Sequence, residues 1–225
     1  MAAQKIISGN WRSDLLNPGY CLSTPLLVDG KHFRQKVFLA HLNRTTVDNW
    51  KEHLDKVAGK QAAKAAPCVL YAEASYLRYS SAVFRQAAVS DWNELLATKI
   101  DSKDYVEQTF LLASISKEQC DVKEAIGLCL VRRSWANNLF LDYLAKSPQL
   151  FSDSRVVGVA EGLIYTVMLM GMELKCRYLY LEPSREAQRF YSKLFGAEIE
   201  DLEKIPIEPA LTRVQSVLEM MEKAK

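Results

Sequence analysis

A run of small residues around position 158 could hold the phosphates of a ligand. The letters RVVGVAEG put Gly158 and Ala160 where a strand is expected to end and a helix to begin. At such a junction, unpaired backbone N–H groups lie at the positive end of the helix dipole, and small side chains let a diphosphate approach them. Alternatively, Gly158 and Gly162, four residues apart on one helix face, only let that helix pack closely on a sheet. This segment alone does not decide between a ligand site and core packing.

A tyrosine follows in a second segment, YLYLEPSREAQRFYSKLFGAE. Ser184 is a suitable N-cap for a helix that Gly196 would end, and Phe190 and Leu194 lie on its buried side. Tyr191 is next to that side, so its phenol could lie along a sheet rather than in solvent. By itself, a tyrosine near a helix end is most often a half-buried packing residue.

In this order and separation, the two segments resemble the GNAT family of N-acetyltransferases. Residues 155–160 match its Q/R-x-x-G-x-G/A acyl-CoA loop, and residues 187–194 match its A-x-x-F-Y-x-K-L pattern. The resemblance implies an α/β fold with a mixed, mostly antiparallel sheet flanked by helices, best matched at residues 105–197, and acetyl-CoA as acyl donor. The residues that would contact the donor are Leu144, Ala145 and Lys146 on the splayed fourth strand of that fold, Arg155, Val156, Val157, Gly158, Val159 and Ala160 in the loop, and Ser184.

The resemblance also implies direct transfer of an acetyl group to an amine. The amine must lose a proton, and the departing thiolate is helped by a proton donor, for which the family pattern indicates Tyr191. The base would be a carboxylate or a water chain. We rank Asp142, within an apolar strand, slightly ahead of Glu182, because N–H groups beside Glu182 would favour its charged form. Their alternative roles are a solvent-facing strand residue for Asp142 and a helix-start carboxylate for Glu182.

Some features depart from the family pattern. The letters QLFSDS separate Pro148 from Arg155, where only a few residues are usual, and Val156 stands where Gly or Arg is common. The chain after Gly196 is predicted to be helical, so the strand hairpin that usually closes the fold is short, altered or missing. These departures leave the acceptor open: a small amine, a protein and an aminoacyl-tRNA all remain candidates.

The remaining elements follow from periodicity and turn signals. We expect residues 1–35 to be an irregular N-terminal segment and residues 36–225 to form a single domain. A strand, helix, strand, helix order after residue 138 implies a crossover that joins parallel strands. The predicted strands are 36–42, 105–116, 125–133, 138–144 and 177–181, and the predicted helices run from Thr45 or Thr46 to Pro67, over 76–99 in two pieces, and over 156–174, 185–195 and 208–225.

Composition restricts the class of protein further. The net charge is +2 at pH 7 and the basic residues are dispersed, so a nucleic-acid partner is not indicated. Five scattered cysteines without a C-x-x-C pair, and three histidines, do not indicate a disulfide framework or a metal site, and a cytoplasmic location is expected. The longest apolar helical stretch is too short and interrupted to predict a membrane span. Formation of a homodimer stays open.

Two other functions stay open as well. A GNAT-like protein could bind acyl-CoA or a partner without transferring the acyl group, which the atypical loop and tail favour and Tyr191 opposes. An unrelated α/β interaction protein with chance motif matches would bind no acetyl-CoA at all.

Overall fold

The first described element is a β-hairpin. A computed structural model of the chain describes residues 21–97, 107–116, 122–151 and 155–223. Strands β1 (Leu22–Val28) and β2 (Lys31–Ala40) pair antiparallel. Asp29 and Gly30 join them with φ angles of 50° and 78°, which suit a tight two-residue hairpin turn.

This hairpin shows that the expected irregular segment is wrong for residues 22–35. Pro25 and the polar run from His32 to Lys36 interrupt the alternation of apolar residues that would have predicted strands. The prediction for residues 1–20 lies outside the described residues.

Two helices follow and cover one face of the sheet. Helix α1 (Arg44–Asp55) begins after Asn43, whose side-chain oxygen accepts the N–H of Thr46 at 3.1 Å. Helix α2 (Gly59–Phe84) continues through Pro67, so the prediction that Pro67 ends a helix is wrong. The carbonyl that loses its partner at Pro67 belongs to Ala63, which is exposed, so water can satisfy that carbonyl.

The centre of the sheet is an antiparallel meander, as predicted. After β3 (Ala88–Val89) and the short helix α3 (Trp92–Ala97) come β4 (Gln108–Ile115), β5 (Gly127–Arg133) and β6 (Leu139–Lys146). Every residue of β4 is buried, which indicates a central strand with helices on both faces.

A crossover helix then carries the chain to a parallel strand. Strand β7 (Val156–Val157) pairs with β1, helix α4 (Val159–Glu173) crosses the sheet, and β8 (Tyr178–Leu181) pairs parallel with β6. The predicted crossover is therefore confirmed. The helix predicted over 156–174 begins later, because Val156 and Val157 join the sheet.

The last elements are α5 (Arg185–Phe195), β9 (Glu203–Pro206) and α6 (Ile207–Lys223). Helix α5 has its predicted bounds and ends at Gly196, whose φ is 69°. Strand β9 pairs antiparallel with β8, and α6 packs on α4.

The described strands form one mixed, mostly antiparallel sheet in the order β7-β1-β2-β4-β5-β6-β8-β9, with β3 beside β4. One buried cluster, with Trp50 and Tyr79, lies under α1 and α2. The other lies on the opposite face, among α3, α4, α5 and α6. The predicted α/β class is thus confirmed. Within the described ranges, no helix is both long and apolar enough to cross a membrane.

Candidate functional site

The parallel strands β6 and β8 separate at one end of their pairing. Leu139, Phe140 and Leu141 of β6 face Leu179, Tyr180 and Leu181 of β8. Beyond that point β6 continues to Lys146, whereas the chain leaves β8 and turns into α5. The edge of residues 142–146 therefore lies beside a gap, and its backbone groups could pair with an extended ligand.

A β-bulge at Asp142 accounts for this separation. Leu130 of β5 lies opposite Tyr143 and Val131 lies opposite Leu141, which leaves Asp142 as an extra residue in β6. Bulges bend a strand and increase its local twist. The pairing of β6 with β8 ends at Leu141, directly before this bulge.

Two adjoining cavities, each of ≈ 200 Å³, occupy the gap between the strands. They share four lining residues: Tyr71, Leu144, Ala187 and Tyr191. We call the one at the bulge the Asp142 cavity and the one nearer α4 the Lys146 cavity. The Asp142 cavity is also lined by Leu141, Asp142, Tyr143, Leu181, Glu182, Pro183 and Ser184, and the Lys146 cavity by Cys68, Ala145, Lys146, Val159, Ala160 and Phe190.

Tyr191 lies on α5 between the two cavities. It is 5% exposed, and its ring packs against Phe190 at 5.1 Å and Phe195 at 6.1 Å between centroids. Burial raises the pKa of the Tyr191 phenol, and Cys129 and Tyr71 raise it further. The phenol is therefore protonated at neutral pH, which is the state that a proton donor requires.

Asp142 is held by two arginines rather than by solvent. Its carboxylate accepts hydrogen bonds from two nitrogens of Arg132, one at 2.9 Å, and forms an ion pair with Arg78 of α2 at 2.9 Å. The Asp142 side chain is 11% exposed. Both oxygens of the carboxylate are thus engaged by arginine nitrogens, which leaves this side chain little room to contact an amine acceptor.

Glu182 and Ser184 lie where the chain leaves β8 and enters α5. Both are exposed, and both line the Asp142 cavity. Ser184 is the N-cap residue of α5 as predicted, but its side chain makes no capping hydrogen bond. Its hydroxyl therefore adds no capping interaction to the start of α5.

The segment Arg155–Ala160 lies at the start of α4. Gly158 is the N-cap residue and has a φ of 111°, a conformation that favours glycine. A Cβ atom there would lie 2.7 Å from both the carbonyl oxygen of Pro25 and Cε of Met221. Close packing therefore requires this glycine, whatever else binds beside it. Val159 and Ala160 reach the Lys146 cavity, whereas Val156 and Val157 pair with β1.

Two backbone donors of this segment already have carboxylate partners. The N–H of Gly158 donates to Oε2 of Glu161 at 3.1 Å, and the N–H of Arg155 donates to Oδ1 of Asp29 at 2.7 Å. Burial raises the pKa of the Glu161 carboxyl, against the opposing effects of backbone N–H groups and of the Lys146 charge. The predicted diphosphate cradle is thus partly filled by the protein itself.

Sequence reasoning missed the contribution of α2 to the site. Tyr71 lines both cavities and Cys68 lines the Lys146 cavity. Burial raises the pKa of the Cys68 thiol, and the backbone and charge of Lys146 oppose that shift. The predicted end of a helix at Pro67 hid both residues. The buried spacing of Ala65, Val69 and Ala72 on both sides of Pro67 is the signal that indicates one continuous helix.

The residues that the structure describes contain no group of three or more His, Cys, Asp or Glu side chains that could hold a metal ion. No family model, curated protein or solved structure matches the chain.

Proposed function

We propose that this chain is an N-acetyltransferase of the GNAT type, which transfers the acetyl group of acetyl-CoA directly to an amine. The observation that supports it best is the gap between β6 and β8, with Tyr191 buried beside it. The pantetheine arm would lie along residues 142–146 and pair with their backbone like an added strand. The motifs that resemble the GNAT family lie on both sides of this gap.

The proposed chemistry needs a proton donor but no protein nucleophile. The amine nitrogen attacks the thioester carbonyl carbon, the C–S bond breaks, and the sulfur leaves as a thiolate. Tyr191 would donate its phenolic proton to that sulfur and regain a proton from solvent afterwards. The amide product and free CoA balance the reaction.

The acceptor must lose its ammonium proton to a base before its nitrogen can attack. The two arginines around Asp142 already occupy its carboxylate oxygens, so it is less available to the acceptor than the sequence suggests. Glu182 is exposed at the Asp142 cavity and could pass a proton to water. We therefore rank Glu182, or water beside it, ahead of Asp142.

A second function is favoured by the start of α4. Because Glu161 and Asp29 occupy N–H groups of the acyl-CoA loop, a protein that binds an acyl thioester without catalysis is an alternative. The acceptor side of the site supports no particular amine, so the identity of the acceptor stays open.

One assay separates these functions. The protein is incubated with acetyl-CoA and a panel of amines, peptides and aminoacyl-tRNA, while free CoA thiol and acetylated product are both measured. An acetyltransferase releases thiol and forms amide in equal amounts with at least one acceptor. Binding of acetyl-CoA by calorimetry without amide from any acceptor would instead support the non-catalytic alternative. The absence of binding would overturn both.

A further inference from the structure

Glu161 occupies the place where an anionic ligand would meet helix α4. It lies in the first turn of that helix, directly after Ala160 of the Lys146 cavity. Its carboxylate accepts the N–H of Gly158 at 3.1 Å. The N-terminus of a helix of this length attracts negative charge through its free N–H groups and its dipole. Here the chain supplies that negative charge from its own side chain.

A second carboxylate, that of Asp29, adds negative charge beside the start of α4. Asp29 lies in the β1–β2 turn and accepts the N–H of Arg155 at 2.7 Å, while its own N–H donates to the Arg155 carbonyl at 3.0 Å. A diphosphate at this segment would therefore meet two carboxylates that already accept N–H groups of the segment. The two carboxylates would repel the negative charge of a diphosphate placed beside them. Each carboxylate also occupies one backbone N–H group that could otherwise donate to the diphosphate.

The pantetheine part of a donor meets no such obstacle. The edge of residues 142–146 lies beside the two cavities, and Leu144, Ala187 and Tyr191 give them apolar walls. Lys146 supplies a positive charge to the cavity near α4, where its ammonium lies 4.3 Å from the ring centre of Phe151. The two cavities thus offer space for the acyl and pantetheine groups. At the segment where the diphosphate would bind, Glu161 and Asp29 already occupy two of the N–H groups.

We propose that Glu161 sets the donor specificity of this site, by holding the Gly158 N–H so that the site recognises acyl-pantetheine and gains little affinity from a diphosphate. This inference rests on the proposed function, because it concerns the same acyl donor. The partly buried Glu161 carboxyl, whose pKa is raised by burial, remains in contact with the helix start because the N–H groups stabilise it there.

Calorimetry with two donors tests the inference. Acetyl-CoA and S-acetylpantetheine, which lacks the diphosphate and the nucleotide, are titrated into the native protein and into the variants Glu161→Gln and Glu161→Ser. The native protein should prefer acetyl-CoA by less than about tenfold. Removing the charge should raise the affinity for acetyl-CoA about tenfold in the Gln variant and more in the Ser variant, which also frees the N–H, as expected for charge-assisted hydrogen bonds. The affinity for S-acetylpantetheine should stay within about twofold.

A matched control is Glu208→Gln, which removes an exposed carboxylate from the first turn of α6, outside both cavities. It should leave both affinities unchanged. If both donors bind and neither Glu161 variant changes the affinity for acetyl-CoA, the inference is overturned while the proposed function stands. If neither donor binds the native protein or any folded variant, the proposed function itself fails. The Gln variant retains the length of the side chain and a capping oxygen, so it provides a folded comparison if the Ser variant is unstable.

Discussion

At the scale of single residues, Tyr191 gives the sharpest test of chemistry. Its phenol is buried between the two cavities, and its raised pKa keeps it protonated over the physiological range. If Tyr191 only filled space, a phenylalanine at this position would serve equally well. Removing the hydroxyl would therefore lower turnover if Tyr191 is the proton donor, and would leave turnover unchanged if Tyr191 is only a packing residue.

We expect Tyr191→Phe to reduce turnover by about 10²- to 10⁴-fold, because it removes the proton donor while keeping the ring. The affinity for acetyl-CoA should change little. Steady-state kinetics and calorimetry on the same preparation measure both quantities. Tyr178→Phe, which removes a hydroxyl from the start of β8, is the control and should retain native turnover. Native turnover in the Tyr191 variant would exclude Tyr191 from the mechanism.

Asp142 gives a second prediction, in which structure and sequence disagree. Because it is paired with Arg78 and Arg132, Asp142→Asn should lower the free energy of unfolding by about 1–3 kcal/mol. Turnover at pH 7 should be nearly unchanged in this variant and should fall in Glu182→Gln. Urea unfolding and steady-state kinetics on the two variants check this. A loss of turnover in Asp142→Asn with unchanged stability would restore Asp142 as the base.

The sequence could indicate Tyr191 and Gly158 because both lie in local patterns of spacing. It could not indicate the partners of Asp142, since Arg78 and Arg132 lie far from it in sequence or on a neighbouring strand and come near it only through the fold. The Glu161 contact was also hidden, although it is local. A glutamate at the third position of a helix is usually a favourable first-turn residue, and only the Lys146 cavity beside it suggests a further role.

At the scale of elements, the packing of α4 depends on Gly162. A Cβ atom at that position would lie 2.5 Å from Nε2 of Gln35 and closer still to the hydroxyl of Thr24, both of which are fully buried. The helix therefore approaches the β1–β2 hairpin closely only because this residue has no side chain. The β1–β2 hairpin thus fixes how closely α4 can lie on the sheet.

We expect Gly162→Ala to destabilise the protein by about 1–3 kcal/mol through overpacking, despite the better helix propensity of alanine. Chemical denaturation monitored by circular dichroism measures the change. Ser81→Thr, which adds one methyl group at an exposed position of α2, should change stability by no more than a few tenths of a kcal/mol. An alanine variant at 162 as stable as the native protein would contradict the packing described for α4.

The sequence predicted these elements unevenly, for physical reasons. Helix α5 was predicted with its bounds because an N-cap position and a C-terminal glycine are local signals. The β1–β2 hairpin was missed because its polar and proline positions are stabilised by pairing with distant strands. The bulge at Asp142 follows from the register between β5 and β6, which has no local sequence signal.

At the scale of the whole molecule, buried titratable groups predict the pH dependence of stability. Burial raises the pKa of Cys176 to about 11, and it also raises the pKa values of Cys129 and Tyr79. The unfolded chain releases these protons at ordinary values, about 8.5 for a thiol and about 10 for a phenol, while the folded chain retains them. Their contribution to stability is complete below those values and decreases as pH rises.

We therefore expect the free energy of unfolding to decrease between about pH 9 and 11, by about 1.4 kcal/mol per pH unit for each group that titrates. Urea unfolding at a series of pH values under reducing conditions measures it. Cys176→Ala removes one of these groups, so the free energy of unfolding should decrease less steeply with pH, by up to about 1.4 kcal/mol per pH unit. A stability that stays constant up to pH 11 would contradict the burial of these side chains.

The proposed function requires acetyl-CoA to lie in the gap between β6 and β8. Amide hydrogen exchange, measured with and without saturating acetyl-CoA, tests it most directly because it reports on the backbone of β6. We expect slower exchange in residues 142–146 and around Tyr191, with little change in α1 and on the exposed side of α2. Unchanged exchange in residues 142–146, or protection confined to another part of the molecule, would contradict it.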